Sequence, residues 1–137
     1  MVCYPYVNFA EGIPPAPILK ATLQSPDWAK STKQYEVDAF LDTGSDCTLV
    51  PLEVLSVLEL KIVQVDVPIG GVGGGQVAGF ACYANIALAQ HCFKAVRIYG
   101  CLGDSFSKRI LIGRDVLNQC CIQFDGLNLQ VCFDGLG

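Results

Sequence analysis

Phe40-Leu41-Asp42-Thr43-Gly44-Ser45-Asp46-Cys47-Thr48-Leu49 carries an Asp-Thr-Gly triplet at the end of an apolar run. Upstream, Tyr35, Val37, Ala39 and Leu41 alternate with Glu36, Asp38 and Phe40, a period of two that predicts a strand with one apolar face. Asp42 therefore leaves a strand. Thr43 and Gly44 then form a tight turn, because Gly44 reaches backbone angles closed to other residues. An acid is held out on a rigid bend. Taken alone the triplet is also compatible with an ordinary surface turn, so its neighbours decide.

Two further stretches lie in order behind it. Ile69-Gly70-Gly71-Val72-Gly73-Gly74-Gly75 places five glycines in the six positions from Gly70 to Gly75. No Gly-Lys-Ser/Thr and no helix start follow, as a phosphate-binding loop requires. Val65-Asp66-Val67 before it and Gln76-Val77-Ala78 after it are strand-compatible, so the run reads as the tip of a flexible hairpin, with a plain glycine-rich turn as the alternative. The second stretch is the apolar strand Ile110-Leu111-Ile112, ending at Gly113 and followed by Arg114-Asp115-Val116-Leu117.

Together, Leu-Asp-Thr-Gly-Ser-Asp, Ile-Gly-Gly-Val-Gly-Gly and Ile-Leu-Ile-Gly-Arg-Asp strongly resemble a retroviral-type aspartic protease, a retropepsin, over positions 33 to 124. The resemblance implies an all-β fold, one lobe of the acid-protease closed barrel or sandwich with one or two short helices. It implies Asp42 as the catalytic acid, Thr43 bracing the site across a twofold axis, and Gly44 offering its backbone to substrate. It pairs Asp46 with Arg114, partly buried, to lock the active-site loop to the helix after Gly113. The glycine hairpin becomes a flap, with Ile69, Gly70, Gly71, Val72 and Gly73 facing substrate, and Cys47 and Ile112 are expected in the pocket. Asp115 stands where some retroviral enzymes have asparagine, and the segment from Gly100 to Arg109 is longer than in their compact members.

The chemistry implied is that of two aspartates sharing one proton: the ionised one takes a proton from a water while its partner donates to the peptide carbonyl. The chain has one Asp-Thr-Gly. Asp125-Gly126 and Asp134-Gly135 lack the intervening residue, so a two-lobed pepsin is excluded and the resemblance implies a homodimer with Asp42 from each subunit. No cofactor or metal is implied. The expected function is aspartic endopeptidase on extended peptide segments. The alternative is a retropepsin-like module that dimerises or binds peptide or ubiquitin-like partners without proteolysis.

Composition agrees. At 137 residues the chain is one domain, 52% hydrophobic and 16% charged, a β-rich and well-buried balance. Nine Lys and Arg are scattered and the formal net charge is −4, which argues against nucleic acid. Neither an apolar stretch of about 18 residues nor a basic-then-apolar N-terminus is visible, so no membrane segment or secretory signal is expected and the default setting is cytoplasmic. Eight cysteines strain that default. Cys82, Cys92, Cys120, Cys121 and Cys132 fall in apolar runs and read as free core thiols rather than a disulfide framework. Cys82, His91, Cys92 and Cys101 are near-regularly spaced, but without a Cys-x-x-Cys knuckle a metal site is not expected.

In chain order, Pro5, Pro14, Pro15 and Pro17 mark residues 1–17 as an irregular arm packed on the body, with the protease domain at 18–137. Ile18 to Gln24 is predicted as the first strand and Leu52 to Leu60 as a short helix opened by Pro51. Phe80 to Leu88 and Cys92 to Tyr99 form a long hairpin, followed by a polar loop from Gly100 to Lys108. Asp125-Gly126 joins two C-terminal strands, which either interleave a dimer or close the subunit.

Overall fold

In the computed structural model, which describes residues 1–31, 33–71, 73–102 and 109–135, ten strands and two short helices account for the regular structure. The strands are β1 (Val2–Pro5), β2 (Ile18–Gln24), β3 (Gln34–Leu41), β4 (Thr48–Pro51), β5 (Gln64–Gly70), β6 (Gln76–Leu88), β7 (His91–Cys101), β8 (Ile110–Ile112), β9 (Ile122–Asp125) and β10 (Gln130–Phe133). The helices are α1 (Leu52–Val57) and α2 (Arg114–Leu117). Val72 at the expected hairpin tip and residues 103–108 of the expected polar loop lie outside the described residues.

The larger sheet runs β2-β3-β8-β4-β7-β6-β5, and β2 also pairs with β6. That extra pairing closes six strands into a barrel and leaves β5 attached outside it, along β6. Closure removes most exposed edges. Alternation along each strand fills the interior: Leu23, Ala39, Val50, Ile86, Ile98, Ile110 and Ile112 are all fully buried. Val54 and Leu58 of the α1 segment and Val116 of α2 plug the same core, also without exposure. The helix predicted to Leu60 stops earlier, at Val57, and Pro51 caps it rather than beginning it.

The arm departs from expectation. Residues 2–5 are a strand, β1, paired antiparallel with β10 in a three-stranded sheet ordered β1-β10-β9. Pro5 is tolerated because β1 is an edge strand, where a missing N–H costs no ladder bond. Cys3 stands opposite Cys132 in this register, and the two form a disulfide. Cys132 is therefore not a free thiol. The free core-thiol reading fits Cys82, which is buried, and in part Cys120, which is half-buried, whereas Cys92 and Cys121 are exposed rather than core residues. The C-terminal hairpin closes on β1 of its own chain, with Tyr4 edge-on to Phe133 at 6.1 Å.

The tightest backbone approach in the barrel lies between β8 and the segment after β3. A Cβ built on Gly113 would sit 2.3 Å from the Cys47 carbonyl oxygen and 2.7 Å from its carbon. Neither neighbour is a side chain that can swing away. We predict that Gly113→Ala destabilises the chain by about 3 kcal/mol or prevents folding. Gly126→Ala, where nothing lies within 4 Å, should change stability by less than about 0.5 kcal/mol. Urea unfolding of the two variants beside the parent checks both; equal midpoints for all three would contradict the packing described.

Candidate active site

Asp42 follows the last residue of β3, and its backbone N–H donates to the Ile112 carbonyl at 2.9 Å, extending the β3–β8 pairing by one bond. The chain then turns. Ser45 N–H donates to the Asp42 carbonyl (3.2 Å), and Gly44 N–H donates to Asp42 Oδ1 (2.9 Å). The carboxylate is thus oriented by its own loop while remaining half-exposed. Among the described residues no group bonds its other oxygen. Thr43 and Gly44 are exposed beside it. A side chain at position 44 would begin 3.2 Å from Asp42 Oδ1, so glycine also keeps the approach to the acid open.

Arg114, the first residue of α2, braces this loop from behind. Its backbone N–H donates to the Ser45 carbonyl (2.8 Å), one guanidinium nitrogen donates to the Thr43 carbonyl (2.7 Å), and the other pairs with Asp46. The predicted partners therefore meet, but not as a buried pair: the Asp46 side chain is 87% exposed and that of Arg114 43%. Water screens an exposed pair, so the contact to Thr43 carries more of the positioning than the charge does.

A second clamp was not visible in the sequence. Asp115 accepts from the Thr48 hydroxyl (2.9 Å), Thr48 N–H (3.2 Å) and Val116 N–H (3.0 Å). Burial raises its carboxyl above the ordinary range, and these hydrogen bonds oppose the rise. Thr48, fully buried at the start of β4, also accepts from Gly113 N–H at 3.3 Å. A threonine in the apolar run after Cys47 was the available signal, since a buried hydroxyl needs partners.

The pocket expectations divide. Ile112 is fully buried in the barrel and cannot line a substrate cleft. The correction follows from strand parity: Leu111, one residue earlier and paired with Phe40, points to the other face and is partly exposed. Cys47 is half-buried, and its thiol is pushed up to about 11 by burial and then by the Asp115 and Asp46 carboxylates, so it is protonated at neutral pH.

Beyond the barrel, β5 and β6 form the glycine hairpin, with Ile69 opposite Val77 and Gly70 opposite Gln76. Gly73 and Gly74 have φ of 92° and 78°, which explains why glycine is needed in this turn. Ile69 is half-buried; Gly70, Gly71 and Gly73 are exposed. The four positions considered for zinc do not converge. Cys82 and Cys101 are buried opposite Ile98 and Gly79, while His91 and Cys92 sit at the far turn of the β6–β7 hairpin. Among the described residues no group of three or more His, Cys, Asp or Glu could hold a metal ion, and no helix is long and apolar enough to cross a membrane.

No protein-family model matches the chain, and no curated protein matches it in sequence. Solved structures do match. The EIAV protease complexed with the inhibitor HBY-793 superposes with a TM-score of 0.55 at 20% identity, covering 82% of this chain and 93% of that one. A retropepsin-like aspartic protease from Rickettsia conorii superposes at 0.53 and 16% identity, covering 85% and 80% respectively. The chain has the retropepsin-like fold of the aspartic proteases.

Because Asp46 is exposed, Arg114→Ala is expected to cost less than about 1 kcal/mol through the ion pair, while freeing the Thr43 carbonyl and loosening the turn. Asp46→Asn, which leaves the Thr43 contact in place, should cost less than Arg114→Ala. Thermal unfolding of both variants tests this order, and the reverse order would show that the charge carries the brace.

Proposed function

We propose that the chain is an aspartic endopeptidase, active as a homodimer in which Asp42 of each subunit faces its counterpart across a twofold axis. The observation that carries this reading is the state of Asp42: half-exposed at the end of a barrel strand, oriented by Gly44 N–H, and single in the chain. One such carboxylate is half of a general acid and base. Two brought together hold one proton between them, so one oxygen can accept a proton from water while the other donates to the carbonyl under attack. The mechanism needs no metal or cofactor.

Each subunit would contribute its exposed Thr43 to the dimer axis, and Gly44 would offer its backbone to an extended peptide. The β5–β6 hairpin, through Ile69, Gly70, Gly71 and Gly73, would close over the peptide as a flap. Main-chain hydrogen bonds to an extended substrate follow the pattern of strand addition. Leu111 replaces Ile112 as the apolar pocket residue beside the acid, with Cys47 further along the loop. A protein or peptide is the partner proposed, not nucleic acid or a membrane. A cytoplasmic setting would hold Cys3 and Cys132 as thiols; an oxidising one keeps their bond closed.

Asp42→Asn should abolish cleavage of a denatured-protein or peptide library while leaving the thermal unfolding profile unchanged, because the amide has nearly the same shape but cannot act as base. Loss should be at least about 10²-fold, the lower range for a positioned general base. Unchanged turnover in this variant would remove the peptidase reading. Binding of peptides without cleavage by either form would move the assignment to a peptide-binding module.

A further inference from the structure

The outer face of the β5–β6–β7 sheet carries an arginine held by neutral groups alone. Arg97 of β7 stands opposite Tyr83 of β6 and is half-buried. Its Nε–H donates to the Tyr99 hydroxyl (3.1 Å), one terminal nitrogen to the Tyr83 hydroxyl (3.1 Å), and the other to Gln64 Oε1 (2.6 Å). The guanidinium carbon lies 5.7 Å from the centre of each tyrosine ring. A guanidinium has five N–H donors in a fixed plane, so two remain after these three bonds. Among the described residues no carboxylate lies within ion-pair distance.

Arg97 and Tyr99 also line a cleft of about 350 Å³ to which Asp46, Cys47 and Asp115 contribute. The other charges there are already engaged. Asp46 pairs with Arg114, Asp115 accepts three hydrogen bonds from Thr48 and Val116, and Lys94 pairs with Asp27 at 3.2 Å. Among the described residues, the positive charge lining this cleft that has no counter-ion is that of Arg97. An arginine fixed in place before the ligand arrives loses little side-chain freedom on binding, and its fork matches a carboxylate.

We propose that this cleft is a carboxylate-binding site in which Arg97 receives a glutamate or aspartate side chain of a bound peptide. Tyr83, Tyr99 and Gln64 act as positioning residues that hold the guanidinium plane. The site stands apart from the peptidase reading, since it requires neither Asp42 nor cleavage. Its lining includes Asp46 and Cys47 of the loop that presents Asp42.

The chain reports on its own binding. Trp28, the single tryptophan, packs edge-on to Tyr83 at 6.1 Å, which places an intrinsic probe next to the Tyr83–Arg97 cluster. The test titrates the full chain with a blocked alanine pentapeptide carrying one central glutamate, and with its glutamine and lysine counterparts, by Trp28 fluorescence and calorimetry. The glutamate peptide should bind about tenfold or more tightly than the glutamine peptide, with lysine weakest, and the margin should shrink with added salt. Arg97→Gln should erase the margin and Arg97→Lys should restore only part of it. If circular dichroism shows that Arg97→Gln does not fold, Tyr99→Phe, which removes one anchor and keeps the charge, should narrow the margin instead. Equal affinity for the three peptides, no saturable binding of the glutamate peptide, or preference for lysine would overturn the proposal.

Discussion

The structure depends on one close approach, that of the Gly113 backbone to the Cys47 backbone. Only a residue without a Cβ allows it, since the added carbon would lie 2.3 Å from the Cys47 carbonyl oxygen. Around that contact the loop that carries Asp42 is tied to the barrel. Asp42 N–H bonds the Ile112 carbonyl before it, Arg114 N–H bonds the Ser45 carbonyl after it, and the Arg114 guanidinium reaches the Thr43 carbonyl. The acid is therefore placed by backbone geometry, with the exposed Asp46–Arg114 pair as a minor addition. Turns built this way hold a side chain within a narrow range, which general acid–base chemistry requires.

Barrel closure supplies the rigidity behind this loop. Pairing of β2 with both β3 and β6 closes the ring, and fully buried Leu23, Ile86, Ile98 and Ile110 fill it. Two elements lie outside the ring. The β5–β6 hairpin extends past the barrel on its glycines, and β9 forms one edge of the small sheet made with β10 and β1. The functional reading uses this division: a fixed floor carrying Asp42, and a hairpin whose exposed backbone is available to a peptide.

Much of the site was legible because it is local. Asp42-Thr43-Gly44 after an alternating strand, Gly113 after an apolar triplet and the glycine run are each marked by their own residues, although Gly44 does not take the positive φ expected of it and serves Asp42 through its N–H and its missing Cβ instead. Residues whose partners are distant were not. Nothing in Val2–Pro5 announces that Cys3 will meet Cys132, 129 positions away. In Ile110-Leu111-Ile112 all three side chains are apolar, so pattern alone cannot say which faces the core; the pairing of Leu111 with Phe40 decides it. The Asp46–Arg114 contact was expected, but its exposure depends on how far the loop projects, which no local signal records. The Arg97 cluster likewise joins Gln64, Tyr83 and Tyr99 from three strands and exists only once β5, β6 and β7 pair.

A single Asp42 per chain makes the peptidase account a claim about two chains. The measurement that tests it most directly follows specific activity and sedimentation on the same samples across a dilution series, with and without excess Asp42→Asn chain. The account predicts that activity per chain falls in step with the dimer fraction and that the inactive chain suppresses it through mixed dimers. A monomer whose specific activity is independent of concentration and unaffected by the Asn form would contradict it.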